Sequence, residues 1–208
     1  MLSLQAAMNS KVDPNWVAAR YPYLRAVVIE GAEAIEHHGW KWWKKQDKDL
    51  PQLQMELIDI WHFILSEILL ERKGSEETSL HYLMDLLANN CESLEFDSRT
   101  YQIDSLDLIT KLELLIALAA ARRIDLSVFS AIMSDCGMDW TELYCQYVGK
   151  NVLNFFRQDH GYKEGTYQKM WDGREDNEYL VEIMAELDPS HESFKDQLYE
   201  SLSSNYPD

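Results

Sequence analysis

The 208 residues are 46% hydrophobic and 12% aromatic, with only 8 Gly and 5 Pro, which excludes a disordered chain and a turn-rich β fold. A net charge of −17 excludes a surface built to grip a nucleic-acid backbone, because phosphate is repelled overall. A nucleotide can still bind where metals and a local basic cluster oppose that field.

The apolar residues recur with helical period throughout. A short amphipathic helix is expected over Leu2–Asn9, and Asp13-Pro14 has the form of a helix start, with Asp13 as cap and Pro14 in the first turn. Helices are expected over Tyr23–Lys45 and Gln52–Glu71. The polar turn between them, with Pro51 placed to open the second, makes an antiparallel helical hairpin. In the second helix Leu53, Leu57, Trp61, Ile64 and Ile68 form a core stripe, and Glu56, Asp59 and Phe63 lie on an adjacent one. A helix over Glu76–Asn89 precedes a polar loop, Asn90–Ile103. Further helices are expected over Leu106–Arg123, Leu126–Cys136 (closed by Gly137) and Thr141–Phe156. From Arg157 to Asn177 the pattern breaks, and helices over Glu178–Glu186 and Glu192–Leu202 end the chain. The acidic residues from Glu175 onward read as a solvated helix face.

Cys91, Cys136 and Cys145 have neither metal-ligand nor redox spacing, and the odd count fits reduced thiols in a cytoplasmic compartment. The N-terminal residues lack the basic start and apolar run of a signal peptide, and no apolar stretch reaches the length of a membrane span.

Two acidic couples carry the chemistry. Glu30 and Glu33 lie in VVIEGAEAIE, and Glu56 and Asp59 in QMELIDIWHFIL. Spacing of i, i+3 puts each couple on one helix face, roughly 5–6 Å apart at Cβ. Both couples sit in runs otherwise built for burial, where an uncompensated charge is costly. Facing each other across the hairpin, four carboxylates would repel, and a hard divalent cation such as Mg²⁺ or Mn²⁺ removes that repulsion.

A second constellation spans Gly149 to Asn177, where Lys150, Arg157, Lys163, Lys169 and Arg174 gather against the acidic background. Lys150, Asn154 and Arg157 share one helix face by their i, i+4, i+7 spacing, and such a face suits a polyanion. A third is the aromatic run Gly39-Trp40-Lys41-Trp42-Trp43-Lys44-Lys45, in which Trp40 and Trp43 continue the stripe of Glu33 and Glu36 and offer a ring to a base. Gln5 and Asn9 are i, i+4, and their amides offer the donor and acceptor that a pyrimidine edge needs. His62 follows Asp59 and Trp61 in an apolar helix. A di-iron pattern fails because Asp59 stands three positions after Glu56.

These residues resemble the dimeric, all-α dUTPase family of the all-α NTP pyrophosphohydrolases. The resemblance rests on the E-x-x-E of Glu30 and Glu33, the WKWWK run, ELIDIWHF, and the segment GKNVLNFFRQ through GYKEGTY to W-x-G-R-E-D-N. It implies an all-α fold, a single-domain helical bundle over residues 1–208 with a four-helix metal-binding core, and a homodimer. The apolar residues around the 106–123 helix also fit burial or an interface. It implies hydrolysis of dUTP to dUMP and pyrophosphate, and of dUDP to dUMP and phosphate. Two or more Mg²⁺ ions, with Mn²⁺ as the alternative, are implied on Glu30, Glu33, Glu56 and Asp59. Trp43 and Phe63 are implied to flank uracil with His62 nearby, and Gln5 and Asn9 to read its edge. Lys150, Asn154, Arg157, Tyr162, Lys163, Lys169 and Asn177 match positions around the phosphates, with Asn154 alternatively at a metal. Among the acids Glu33, with Glu30 beside it, is expected to act on the attacking water. The acidic motif alone leaves dCTP or a broader set of pyrimidine triphosphates as an alternative substrate. A binding module without chemistry would be indicated by loss of any of the four acids, and all four are present.

Overall fold

The computed structural model describes residues 1–89, 91–189 and 191–207. In chain order the helices are α1 (Leu2–Val12), α2 (Trp16–Ala19), α3 (Tyr23–His38), α4 (Leu50–Glu71) and α5 (Glu76–Ala88). The hairpin β1 (Ser93–Phe96) and β2 (Arg99–Gln102) and a 3-10 turn at Ile103–Ser105 lead to α6 (Leu108–Ala120), α7 (Leu126–Asp135) and α8 (Trp140–Asp159). A second hairpin, β3 (Met170–Trp171) and β4 (Arg174–Glu175), precedes α9 (Asp176–Glu186) and α10 (Phe194–Asn205). The fold is all-α with two small antiparallel hairpins among the described residues. No helix among these residues is long and apolar enough to cross a membrane.

The chain divides into two compact units. One comprises Leu2 and Val17–Trp140, and the other Met1, Ser3–Trp16 and Thr141–Asp208.

In the Val17–Trp140 unit α4 is the central element. It starts where Asp49 accepts a hydrogen bond from the Gln52 amide at 3.2 Å, with Pro51 in the first turn. Leu53, Leu57, Trp61, Ile64 and Ile68 are all buried, as the apolar stripe predicts. Trp61 stacks on Phe129 of α7 at 5.4 Å between ring centroids. Helix α3 packs against both α4 and α6. Its approach to α6 requires Gly31, because a Cβ there would lie 2.7 Å from Cγ1 of Ile116. Asp107, Asp125 and Ser75 cap α6, α7 and α5 through their side chains.

Two expectations for this unit need correction. The helix expected to reach Lys45 ends at His38, because Gly39 takes φ 83° and its N–H turns back onto the carbonyls of Ile35 and Glu36. Trp40 and Trp43 therefore leave the helical stripe of Glu33 and Glu36. The segment read as a loop to Ile103 holds β1 and β2, joined by Asp97 and Ser98 at φ 49° and 60°. Two consecutive residues with positive φ are the turn that matches the twist of a hairpin. Asn90, where that loop was expected to begin, lies outside the described residues.

In the other unit α8 contributes Leu143, Tyr147, Leu153 and Phe156 to the core, each with no solvent exposure. The Phe156 ring lies 5.3 Å from those of both Tyr199 and Tyr206 and 6.0 Å from that of buried Trp171. Leu180 of α9 and Phe194, Leu198 and Leu202 of α10 complete this core. Helix α8 runs three residues past Phe156, and the break expected to Asn177 holds the β3–β4 hairpin, turned by Asp172 and Gly173.

Candidate active site

In the Val17–Trp140 unit, the antiparallel pair α3 and α4 brings Glu30, Glu33 and Glu56 together. A carboxylate oxygen from each lies within 4.8 Å of the others. Glu56 is buried, Glu30 half-buried and Glu33 exposed. The Glu30 carboxyl is pushed up to about 8, first by burial and then by the negative charges of Asp59, Glu56 and Glu33. Asp59 thus acts on the cluster electrostatically. Nε2 of His37 lies 3.3 Å from Oε1 of Glu56. The sequence reading did not single out His37. Its signal was its place on α3, four residues after Glu33 and on the same face.

An all-oxygen set of crowded acids, one of them driven toward its neutral form, is an arrangement that a hard divalent cation relieves. The donor chemistry fits such an ion and does not fit a soft metal.

The aromatic run forms its own cluster after Gly39. The rings of Trp42 and Trp43 meet edge to face at 4.6 Å, and those of Trp40 and Trp43 at 5.2 Å. Trp40 donates Nε1–H to Oε1 of Glu36 at 2.6 Å, and Lys41 pairs with the same carboxylate at 2.9 Å. Trp43 remains 59% exposed, so its ring can receive a partner. On α4, His62 is buried and Phe63 half-buried.

In the other unit, buried Tyr147 donates to Oε1 of Gln5 at 3.0 Å, and Nε2 of Gln5 donates to Oδ1 of Asn9 at 3.0 Å. Burial pushes the Tyr147 hydroxyl far up, so it stays a donor and fixes which end of the Gln5 amide faces it. The two amides form one oriented chain on α1.

Of the expected phosphate residues, the structure joins four. Lys150 donates Nζ–H to Oδ1 of Asn177 at 3.1 Å, and Arg157 reaches the same oxygen at 3.3 Å and Oδ1 of Asn154 at 3.2 Å. Tyr162 stands over Arg157, with the guanidinium 5.8 Å from the ring centroid. Lys163 and Lys169 are engaged outside this network, Lys163 on the Val12 carbonyl at 2.7 Å and Lys169 on Glu175 at 2.9 Å. Asp176 corrects the reading of the acidic residues as a solvated face: it has no exposure and accepts from Arg157 and Tyr167. Only its position beside Asn177 marked it in the sequence.

No curated protein matches the chain. A family model described as dUTPase matches residues 1–162, which include the α3–α4 acids, the aromatic run and the basic face of α8. An all-α fold and that match together decide the family and the enzyme class: the chain belongs to the dimeric, all-α dUTPase family, whose members are dUTP diphosphatases.

Proposed function

We propose that the chain hydrolyses dUTP to dUMP and pyrophosphate, and dUDP to dUMP and phosphate, in a Mg²⁺-dependent reaction. The observation that carries this reading is the crowding of Glu30, Glu33 and Glu56, with oxygens of all three within 4.8 Å. Burial and the negative charge of its neighbours push the Glu30 carboxyl well above its ordinary range, and a bound divalent cation would relieve that repulsion.

Glu30, Glu33, Glu56 and Asp59 hold the ions, two or more Mg²⁺ or Mn²⁺. When bound there, the metal neutralises phosphate oxygens and lowers the pKa of a water. Glu33 is the one clustered acid exposed to solvent, which fits it to orient that water as general base, with Glu30 beside it. Trp43, Phe63 and His62 are assigned to uracil, as are Gln5 and Asn9. Lys150, Asn154, Arg157, Tyr162, Lys163, Lys169 and Asn177 are assigned to the phosphates, where fixed cations offset charge moving onto the leaving group. Residues 1–208 act as one catalytic domain in a cytoplasmic homodimer. The family supports the dimer, since the apolar residues of α6 are already buried within the chain, and a monomeric mass by light scattering at micromolar concentration would contradict it.

Release of pyrophosphate and phosphate from dUTP, dUDP, dCTP and dTTP tests the substrate. The expected result is turnover of dUTP and dUDP with the other two slow. Equal turnover of dCTP would keep the carboxylate chemistry and overturn the uracil assignment.

A further inference from the structure

The first residue of α9, Asp176, is a buried carboxylate paired with Arg157 of the basic face of α8. Asp176 has no solvent exposure. Its Oδ2 accepts from Nε of Arg157 at 2.8 Å and its Oδ1 from NH2 of Arg157 at 2.8 Å, which is the two-bond fork that fixes the plane of a guanidinium. Tyr167 adds a third bond, donating O–H to Oδ2 at 2.8 Å. Burial alone would raise the Asp176 carboxyl, but the Arg157 hydrogen bonds and charge, the Tyr167 hydroxyl and the Lys150 charge together hold it below the ordinary range.

The next residue extends the same arrangement. Oδ1 of Asn177 accepts from Lys150 and from Arg157, and Oδ1 of Asn154 accepts from Arg157. A cation must meet the oxygen end of an amide, so both amides are turned with NH₂ groups away from the cations. Two amides oriented in this way add donors, not acceptors, to the basic face of α8. Lys150, Arg157 and Asp176 together carry one net positive charge. The carboxylate therefore weakens the bare attraction for an anion and fixes geometry in return.

We propose that Asp176 is a positioning residue of the phosphate site. Held by Tyr167, it locks the Arg157 fork and, through the adjoining Asn177, places Lys150, so that cations and amide donors form one rigid surface for the phosphate chain. This rests on the assignment of Lys150, Asn154, Arg157 and Asn177 to phosphate. Asp176 touches no substrate and acts through Arg157.

The test is a mutant cycle on dUTP hydrolysis with kcat and KM read separately. Asp176→Asn keeps the size and removes the charge. It is expected to lower kcat/KM at least about 10-fold, mostly in kcat, because a displaced charge-stabilising group costs rate. In an Arg157→Lys background, which keeps the charge and loses the fork, the same substitution is expected to change kcat/KM by less than about 2-fold, because the partner through which it acts is already gone. Tyr167→Phe, which removes one bond and preserves the pair, is expected to show a loss of about 2–5-fold that also vanishes in the Arg157→Lys background. It decides the matter if Asp176→Asn fails to fold by circular dichroism. Unchanged kcat/KM in the folded single variants, or equal losses with and without the Arg157 fork, would overturn the proposal and leave dUTP hydrolysis standing. Absence of dUTP turnover in the wild-type protein would overturn both.

Discussion

Glu30 on α3 and Glu56 on α4 bring carboxylate oxygens within 4.8 Å of each other, with Glu33 as the third member of the group. Acids crowded in this way favour a proton on one of them, and here it is Glu30 whose carboxyl is raised. Burial and the surrounding acids supply the reason that a proton stays there near neutral pH. A divalent cation entering the cluster must therefore displace it.

This sets the direction of the pH dependence. The Glu30 pKa is about 8 in the folded protein against an ordinary 4.5, so between those values the folded chain binds more protons than the unfolded one. Its contribution to the stability of the metal-free protein is present below the unfolded value and is lost as pH rises through the folded one. Mg²⁺ bound at the proposed site would add stability by binding only the folded state, and would do so more strongly as the proton leaves. Thermal melting with and without Mg²⁺ should show a larger Mg²⁺-induced rise in Tm at pH 8.5 than at pH 6.5. Equal rises would place the displaced proton elsewhere.

Glu33→Gln should keep the fold and remove nearly all dUTP turnover. Loss of a positioned general base costs about 10²–10⁴-fold, and Glu33 is exposed, so the substitution leaves no buried group unpaired. Steady-state rates together with circular dichroism check this. Near wild-type rates would sink the assignment of Glu33 as the base.

Trp42 and Trp43 touch each other and should nonetheless differ in consequence. Trp43→Ala should raise KM for dUTP by about 5–150-fold, the equivalent of the roughly 1–3 kcal/mol that an aromatic ring gives to a stacked base. Trp42, at 85% exposure, should tolerate Ala within about 2-fold. The reverse ranking in KM would exchange their roles.

Gly39→Ala should lower stability without touching the acids. The residue sits at φ 83°, and a Cβ there would come within 3.0 Å of the Gln46 Cβ. Left-handed backbone costs an ordinary residue about 1–2 kcal/mol, which is about 2–8 °C in Tm for a chain of this size. Urea or thermal unfolding checks this, and an unchanged midpoint would mean that the helix end relaxes freely.

Most of the helical frame is legible in the sequence because its signals are local. Asp49 and Pro51 mark the start of α4, and Leu53 through Ile68 mark its buried side, all within a few turns of one another. The i, i+3 couples were readable for the same reason, and the α3–α4 hairpin brings the Glu30 and Glu56 faces together. The Trp40–Lys45 segment was misread because tryptophans at helical spacing imitate a helix, while a single glycine decides otherwise. The β1–β2 hairpin was hidden because its strands are four residues each and its turn, Asp97-Ser98, lacks the usual glycine. Asp176 was missed because its partners, Arg157 and Tyr167, are 19 and 9 positions away. Burial of a charge by a distant partner leaves no periodic trace.

On the proposed reading, dUTP hydrolysis runs through a cation held by the α3–α4 acids. The most direct measurement is dUTP turnover against Mg²⁺ concentration, starting from protein stripped with EDTA, for the wild type and for Glu56→Gln. The expected result is no turnover in EDTA, recovery on adding Mg²⁺, and a half-saturating Mg²⁺ concentration at least about 10-fold higher in the variant. Full turnover in EDTA, or the same Mg²⁺ dependence in both proteins, would contradict it.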